Sequence, residues 1–269
     1  MKNAIVYSIN SGEEKFEDSS RFRQLIYSVS RLRRFNKNID VYAYISDKNF
    51  FSSIEKYKSL NIIFKYFKIP SYNVPNIDYD NSKNAERLWH RWTNTFETLR
   101  SLGYDNVLYV DTDTIFYNDP EILFSIYGNT ESIYTREDNC YDIMESLNVE
   151  NNGLNAGQVL FSKNLIHTEK NMFKFMKEYI NLKLIDAKNQ ISEEMYSQTL
   201  WVIDQYALYE YYKSIGIQTR FYNKKHVMLH LEPWINPTSE LVLHHYLNEN
   251  YKVAVPAEFA NDDISERFL

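Results

Sequence analysis

Asp111 and Asp113 stand one residue apart in LYVDTDTIFYNDP, residues 108–120, where an apolar run ends in two acids, resumes, and stops at Asp-Pro. Two hard, anionic oxygen donors projecting together suit Mg2+ or Mn2+ shared with a substrate phosphate. The spacing alone is a weak signal, because 15 Asp in 269 residues yield about one D-x-D pair by chance. Asp78-Tyr79-Asp80 is such a pair, lying in a Pro/Asn-rich stretch with no strand before it. Context separates the two. Leu108, Tyr109 and Val110 read as a buried strand, and Asp111 and Asp113 lie just beyond its carboxyl end, where an open α/β sheet places its ligands. The competing reading is a pair of acids satisfied by backbone N–H groups in a turn.

A metal-dependent centre also needs a third ligand, a cation for phosphate and a place for the second substrate. His244 and His245 close the run ELVLHH, and strand alternation puts one on each face, so at most one completes a two-carboxylate, one-imidazole set. Arg87 and Arg91 lie one turn apart on the less apolar side of the helix feeding the aspartate strand; there guanidinium groups can pair with a diphosphate or simply face solvent. Asn155-Ala156-Gly157 reads as a small-residue turn through which backbone can approach a ligand. Asp204 and Gln205 are set among apolar residues in TLWVIDQYALYEYY. Buried, that carboxylate needs a partner or a substrate; exposed, it needs neither. His226, His230, Trp234 and the many tyrosines are read as structural.

The elements that must position these groups follow from periodicity. AIVYSIN (4–10) is a first buried strand, IDVYAYIS (39–46) a second and NIIFKYFKI (61–69) a third. Between the first two, Phe22, Leu25, Ile26, Val29 and Leu32 recur at helical spacing behind a Ser cap at 19 or 20. A helix over about 84–102, with Leu88, Trp92, Phe96 and Leu99 as its inner stripe and Gly103 at its end, leads into the aspartate strand. Further strands are expected at 131–135 and 157–162, with helices at 168–184 and 197–214. Alternating strands and helices argue for an α/β fold with a largely parallel sheet.

Length fits one large domain. Hydrophobic residues at 44% and charged residues at 25% are ordinary for a soluble protein, and a net charge of −6 argues against a nucleic-acid partner. The basic cluster Arg31, Arg33, Arg34 and Lys37 ends an amphipathic helix, where it complements the helix dipole. A single cysteine, Cys140, rules out an intrachain disulfide and a Cys-based zinc site. With no leader pattern and no apolar run near the roughly 18–20 residues of a membrane span, the expectation is a cytoplasmic protein with no integral membrane segment.

In order, AIVYSIN, a helix with a basic residue, LYVDTDTIF, GLNAGQVLF, DQYAL and LVLHHY resemble the GT-A nucleotide-sugar glycosyltransferases, in particular the glycogenin-like and bacterial galactosyltransferase-like retaining group. The resemblance spans about residues 4–252. It implies a single GT-A domain over 1–269, with a Rossmann-like nucleotide-binding half (1–117), an acceptor-side half (118–269) and a mixed, mostly parallel sheet flanked by helices. It further implies Mn2+ (or Mg2+) held by Asp111, Asp113 and His244. Tyr7, Ser8, Ile9 and Asn10 would line base and ribose, Thr112 would present backbone to the ribose, and Arg91 and Lys252 would reach the diphosphate. Asn155, Gly157, Asp204 and Gln205 would face the donor sugar and reacting centre, with Asp204 or Gln205 catalytic. After its histidine the family carries a Gly and a Lys-Pro-Trp, whereas this chain reads HHYLNENYKVAV. The implied reaction is transfer from a nucleoside diphosphate sugar, a UDP-sugar favoured, to a glycan, lipid-linked or protein acceptor with retention. The alternatives are a haloacid-dehalogenase-like phosphatase, whose strand-end signature DTDT also fits, and a non-catalytic nucleotide-sugar binding module.

Overall fold

The computed structural model describes residues 1–9, 19–52, 54–68, 79–137, 153–190, 192–229 and 239–245. Asn10, Cys140, His230, Trp234 and Lys252 lie outside the described residues, as does the side chain of Arg87.

Among the described residues, seven strands form one sheet: β1 (Asn3–Ile9), β2 (Asp40–Ile45), β3 (Ile62–Tyr66), β4 (Asn106–Val110), β6 (Ile133–Glu137), β7 (Leu154–Ser162) and β8 (Thr219–Phe221). Three shorter strands, β5 (Thr114–Phe116), β9 (Val227–Leu229) and β10 (Leu243–His245), form a second sheet in the order β5-β10-β9. The larger sheet has the order β3-β2-β1-β4-β7-β6-β8. Only β7 runs against its neighbours; the other pairings are parallel. The expected mixed, mostly parallel sheet is therefore present. From β1 the chain winds outward one way to β2 and β3 and the other way to β4, and such a reversal opens a crevice outside the strands' carboxyl ends.

Alternation along the strands builds a core on each face. On one side Val6, Val107, Tyr109, Val159 and Phe161 pack with Trp92, Phe96 and Leu99 of α2 (Tyr79–Leu102), and with residues of α4 (Glu169–Gln190) and α5 (Glu193–Ser214). On the other, Ile5, Tyr7, Leu108, Val110 and Leu160 meet Leu25, Val29 and Leu32 of α1 (Ser20–Phe35), Phe124 of α3 (Glu121–Tyr127), and Phe116 and Leu243 of the small sheet. Ser19 caps α1, its hydroxyl accepting the Phe22 N–H at 3.2 Å. Gly103, at φ +64°, ends α2 in the left-handed region that favours glycine.

Two local expectations change. Asn155-Ala156-Gly157 is not a turn: it lies inside β7, where Arg136 pairs with Asn155 and Glu137 with Leu154. Gly157 there leaves room for the His245 ring, a role that periodicity does not separate from a turn. Arg91, expected on the less apolar face of its helix, is buried. Among the described residues no helix is long and apolar enough to cross a membrane.

Candidate metal and donor site

β4 ends at Val110, and the chain turns through Asp111, Thr112 and Asp113 before β5 begins at Thr114. β10 pairs antiparallel with β5, so His245 lies opposite Thr114 and His244 opposite Ile115. That register decides between the two histidines. His245 Nε2 stands 3.1 Å from Asp113 Oδ1 and 3.9 Å from Asp111 Oδ2. His244 leaves the other face of the strand, its ring 6.5 Å from that of Tyr117. The structure thus brings His245, and not the expected His244, to the carboxylates, because alternation gives only one of them to that face.

One ligand atom from each of Asp111, Asp113 and His245 falls within 4.8 Å of the others. The chemistry of this set fits a divalent cation: two carboxylate oxygens and one imidazole nitrogen suit Mn2+, whereas Mg2+ prefers oxygen throughout. Gly157 is shaped by the same ring. A Cβ at that position would lie 2.1 Å from His245 Cε1 and 2.5 Å from Nδ1, so any side chain would displace the imidazole. The backbone closes the arrangement, with the Asp111 N–H donating to the Gly157 carbonyl at 2.8 Å.

Arg91 supplies positive charge on the α2 side. Its Nε is 3.0 Å from Asp204 Oδ2, and its Nη1 is 3.7 Å from Asp111 Oδ1 and donates to the Ala156 carbonyl at 3.5 Å. The guanidinium lies over the rings of Trp92 and Tyr109, 5.5 and 5.7 Å from their centroids. Asp204 is 0% exposed. Burial raises its carboxyl above the ordinary value and the neighbouring Arg91 opposes that rise. Gln205 is buried too, its Oε1 accepting the Ala156 N–H at 3.1 Å. Both side chains therefore brace Arg91 and β7.

At the end of β1 the side chains divide. Tyr7 is buried, its hydroxyl 2.7 Å from Ser28 Oγ on α1, and Ile9 is also in the core. Only backbone of these two is left for a ligand at the crevice. Ser8 is half-buried, its hydroxyl accepting from Asn94 Nδ2 at 2.7 Å. Thr112 donates its hydroxyl to Gln24 Oε1 at 2.9 Å, and Asn155 Oδ1 accepts the Gly157 N–H at 2.8 Å. Sequence reasoning missed Tyr109, whose hydroxyl donates to Asp111 Oδ1 at 2.5 Å, as well as Asn94 and Gln24. Tyr109 had a legible signal, because residues two apart on a strand share a face. Asn94 and Gln24 had none.

This sheet order and its flanking helices match the GT-A glycosyltransferase fold of the solved structures to which the chain is similar. Among solved structures, the chain is similar to the glycosyltransferase GlyE of Streptococcus pneumoniae TIGR4, at 18% identity and TM-score 0.52 over 99% of this chain and 62% of that one. It is similar to the galactosyltransferase LgtC in complex with donor and acceptor sugar analogues, at 11% identity and TM-score 0.50 over 99% of this chain and 100% of that one. A third similarity is to the bifunctional glycosyltransferase WbbM, at 13% identity and TM-score 0.52 over 98% of this chain and 50% of that one. The chain thus spans under two thirds of the length of GlyE and half that of WbbM. No family model and no curated protein matches the sequence.

Proposed function

We propose that this chain is a metal-dependent glycosyltransferase that moves a sugar from a nucleoside diphosphate sugar, a UDP-sugar favoured, to a glycan, lipid-linked or protein acceptor. The observation that carries the reading is the convergence of Asp111, Asp113 and His245 within 4.8 Å at the end of β4, beside the crevice where such sheets bind ligands. Mn2+ (or Mg2+) held there would neutralise charge on the leaving diphosphate as the C1–O bond breaks.

The chain's own groups do the rest. Arg91 is a guanidinium fixed before reaction by Asp204 and Ala156, so its charge is available without reorganisation as the leaving group develops. Lys252 is proposed to add to it. Ser8 and Asn10, with the backbone of Tyr7 and Ile9, line the nucleoside. Thr112 offers backbone to the ribose, its hydroxyl being donated to Gln24. Asn155 and Gly157 border the donor sugar, with Gln205 and Asp204 behind them; Asp204 acts through Arg91. The sugar passes through an oxocarbenium-like state, with retention as the proposed outcome.

The test is incubation with UDP- and GDP-sugars with and without Mn2+, following nucleotide release and, by NMR, the anomer formed. Metal-dependent release from one UDP-sugar, abolished by Asp113→Ala and giving the donor's own anomeric configuration, is expected. Binding of a nucleotide sugar without turnover on any acceptor would favour a non-catalytic binding module. Release indifferent to metal would contradict the proposal.

A further inference from the structure

The two oxygens of Asp111 have different neighbours. Oδ1 accepts the Tyr109 hydroxyl at 2.5 Å and lies 3.7 Å from Arg91, while Oδ2 is the oxygen turned to His245. Tyr109 precedes Asp111 by two residues, so both leave the α2 face of the sheet. Thr112 leaves toward the other face. There its hydroxyl donates at 2.9 Å to Gln24, a buried residue of α1. Asp113 in turn is met by His245 at 3.1 Å. Three consecutive residues are therefore held by side chains from β4, α1 and β10.

We propose that Tyr109 and Gln24 are positioning residues that clamp the Asp111–Asp113 turn from opposite faces of the sheet in the conformation that takes a divalent cation. The proposal rests on the metal site inferred above. With Tyr109 and Arg91 occupying Oδ1, Oδ2 is the oxygen left to face His245 and Asp113. With Gln24 occupying the Thr112 hydroxyl, the turn cannot roll about its central residue without losing a part-buried hydrogen bond. Groups that orient ligands in this way set metal affinity without touching the ion.

The test is the Mn2+ dissociation constant, read from the electron paramagnetic resonance of free Mn2+, for wild type, Tyr109→Phe, Gln24→Met, Thr112→Val and Thr112→Ser. Metal-free thermal midpoints are measured in parallel. The dissociation constant should rise about ten-fold in the first three variants, while Thr112→Ser, which keeps the hydroxyl, should stay within about two-fold of wild type. Lower midpoints with unchanged Mn2+ affinity would show a merely structural role and overturn the clamp. Thr112 is only half-buried, so Thr112→Val remains informative if a core variant fails to fold. Absence of Mn2+ binding by wild type would instead overturn the metal site itself, which separates the two failures.

Discussion

Arg91 Nε lies 3.0 Å from Asp204 Oδ2, both side chains being almost wholly shut away from solvent. A buried guanidinium and a buried carboxylate tolerate each other's desolvation only as a pair. Asp204→Asn should therefore cost roughly 3 kcal/mol, measured by urea denaturation. The double variant Arg91→Met/Asp204→Leu should recover much of that stability while transfer stays lost. A loss under about 1 kcal/mol, the scale of an exposed pair, would contradict this role.

Gly157 is a second pressure point. Gly157→Ala puts a methyl group 2.1 Å from the present position of His245 Cε1. The ring must swing away from Asp111 and Asp113. The variant should fold, with a midpoint close to wild type, and lose most of the thermal shift produced by Mn2+; an intact shift would mean that His245 is not needed.

The neighbouring histidines should behave oppositely. His245→Ala removes the imidazole 3.1 Å from Asp113 and should weaken Mn2+ binding at least about ten-fold. His244→Ala should leave the Mn2+ affinity near that of wild type. Isothermal titration of both variants checks the assignment.

His90 gives a pH dependence remote from the metal. It is 3% exposed beside Phe67, with ring centroids 5.3 Å apart, and burial lowers its pKa from 6.5 to about 4. The folded protein resists a proton that the unfolded chain accepts. The contribution is therefore fully present above pH 6.5 and is lost as pH falls toward 4, an effect on the order of 3 kcal/mol. His90→Leu should flatten the fall in unfolding free energy across that window. Equal slopes in variant and wild type would refute it.

Much of this was readable in the sequence, for physical reasons. Strands β1 and β4 announce themselves because strands covered on both faces are apolar throughout, and α1 because a Ser cap and helical spacing coincide. The aspartate pair was legible by its place after β4. The choice of His245 was not, because it depends on the pairing of Leu243–His245 with Thr114–Phe116, and register between strands far apart in sequence leaves no local trace. Gly157 looked like a turn because a glycine cleared for a neighbouring ring and one needed for a bend read alike. Asp204 was ambiguous until Arg91 appeared beside it, since a buried acid is explained only by its partner.

The central claim is a divalent cation held between this chain's carboxylates and a nucleoside diphosphate. Isothermal titration of UDP into wild type and Asp113→Ala, each with Mn2+ and with EDTA, tests it most directly. Wild type with Mn2+ should bind UDP at least about ten-fold more tightly than the other three combinations. Equal UDP affinity with EDTA, or in Asp113→Ala with Mn2+, would contradict a metal bridge at Asp111, Asp113 and His245.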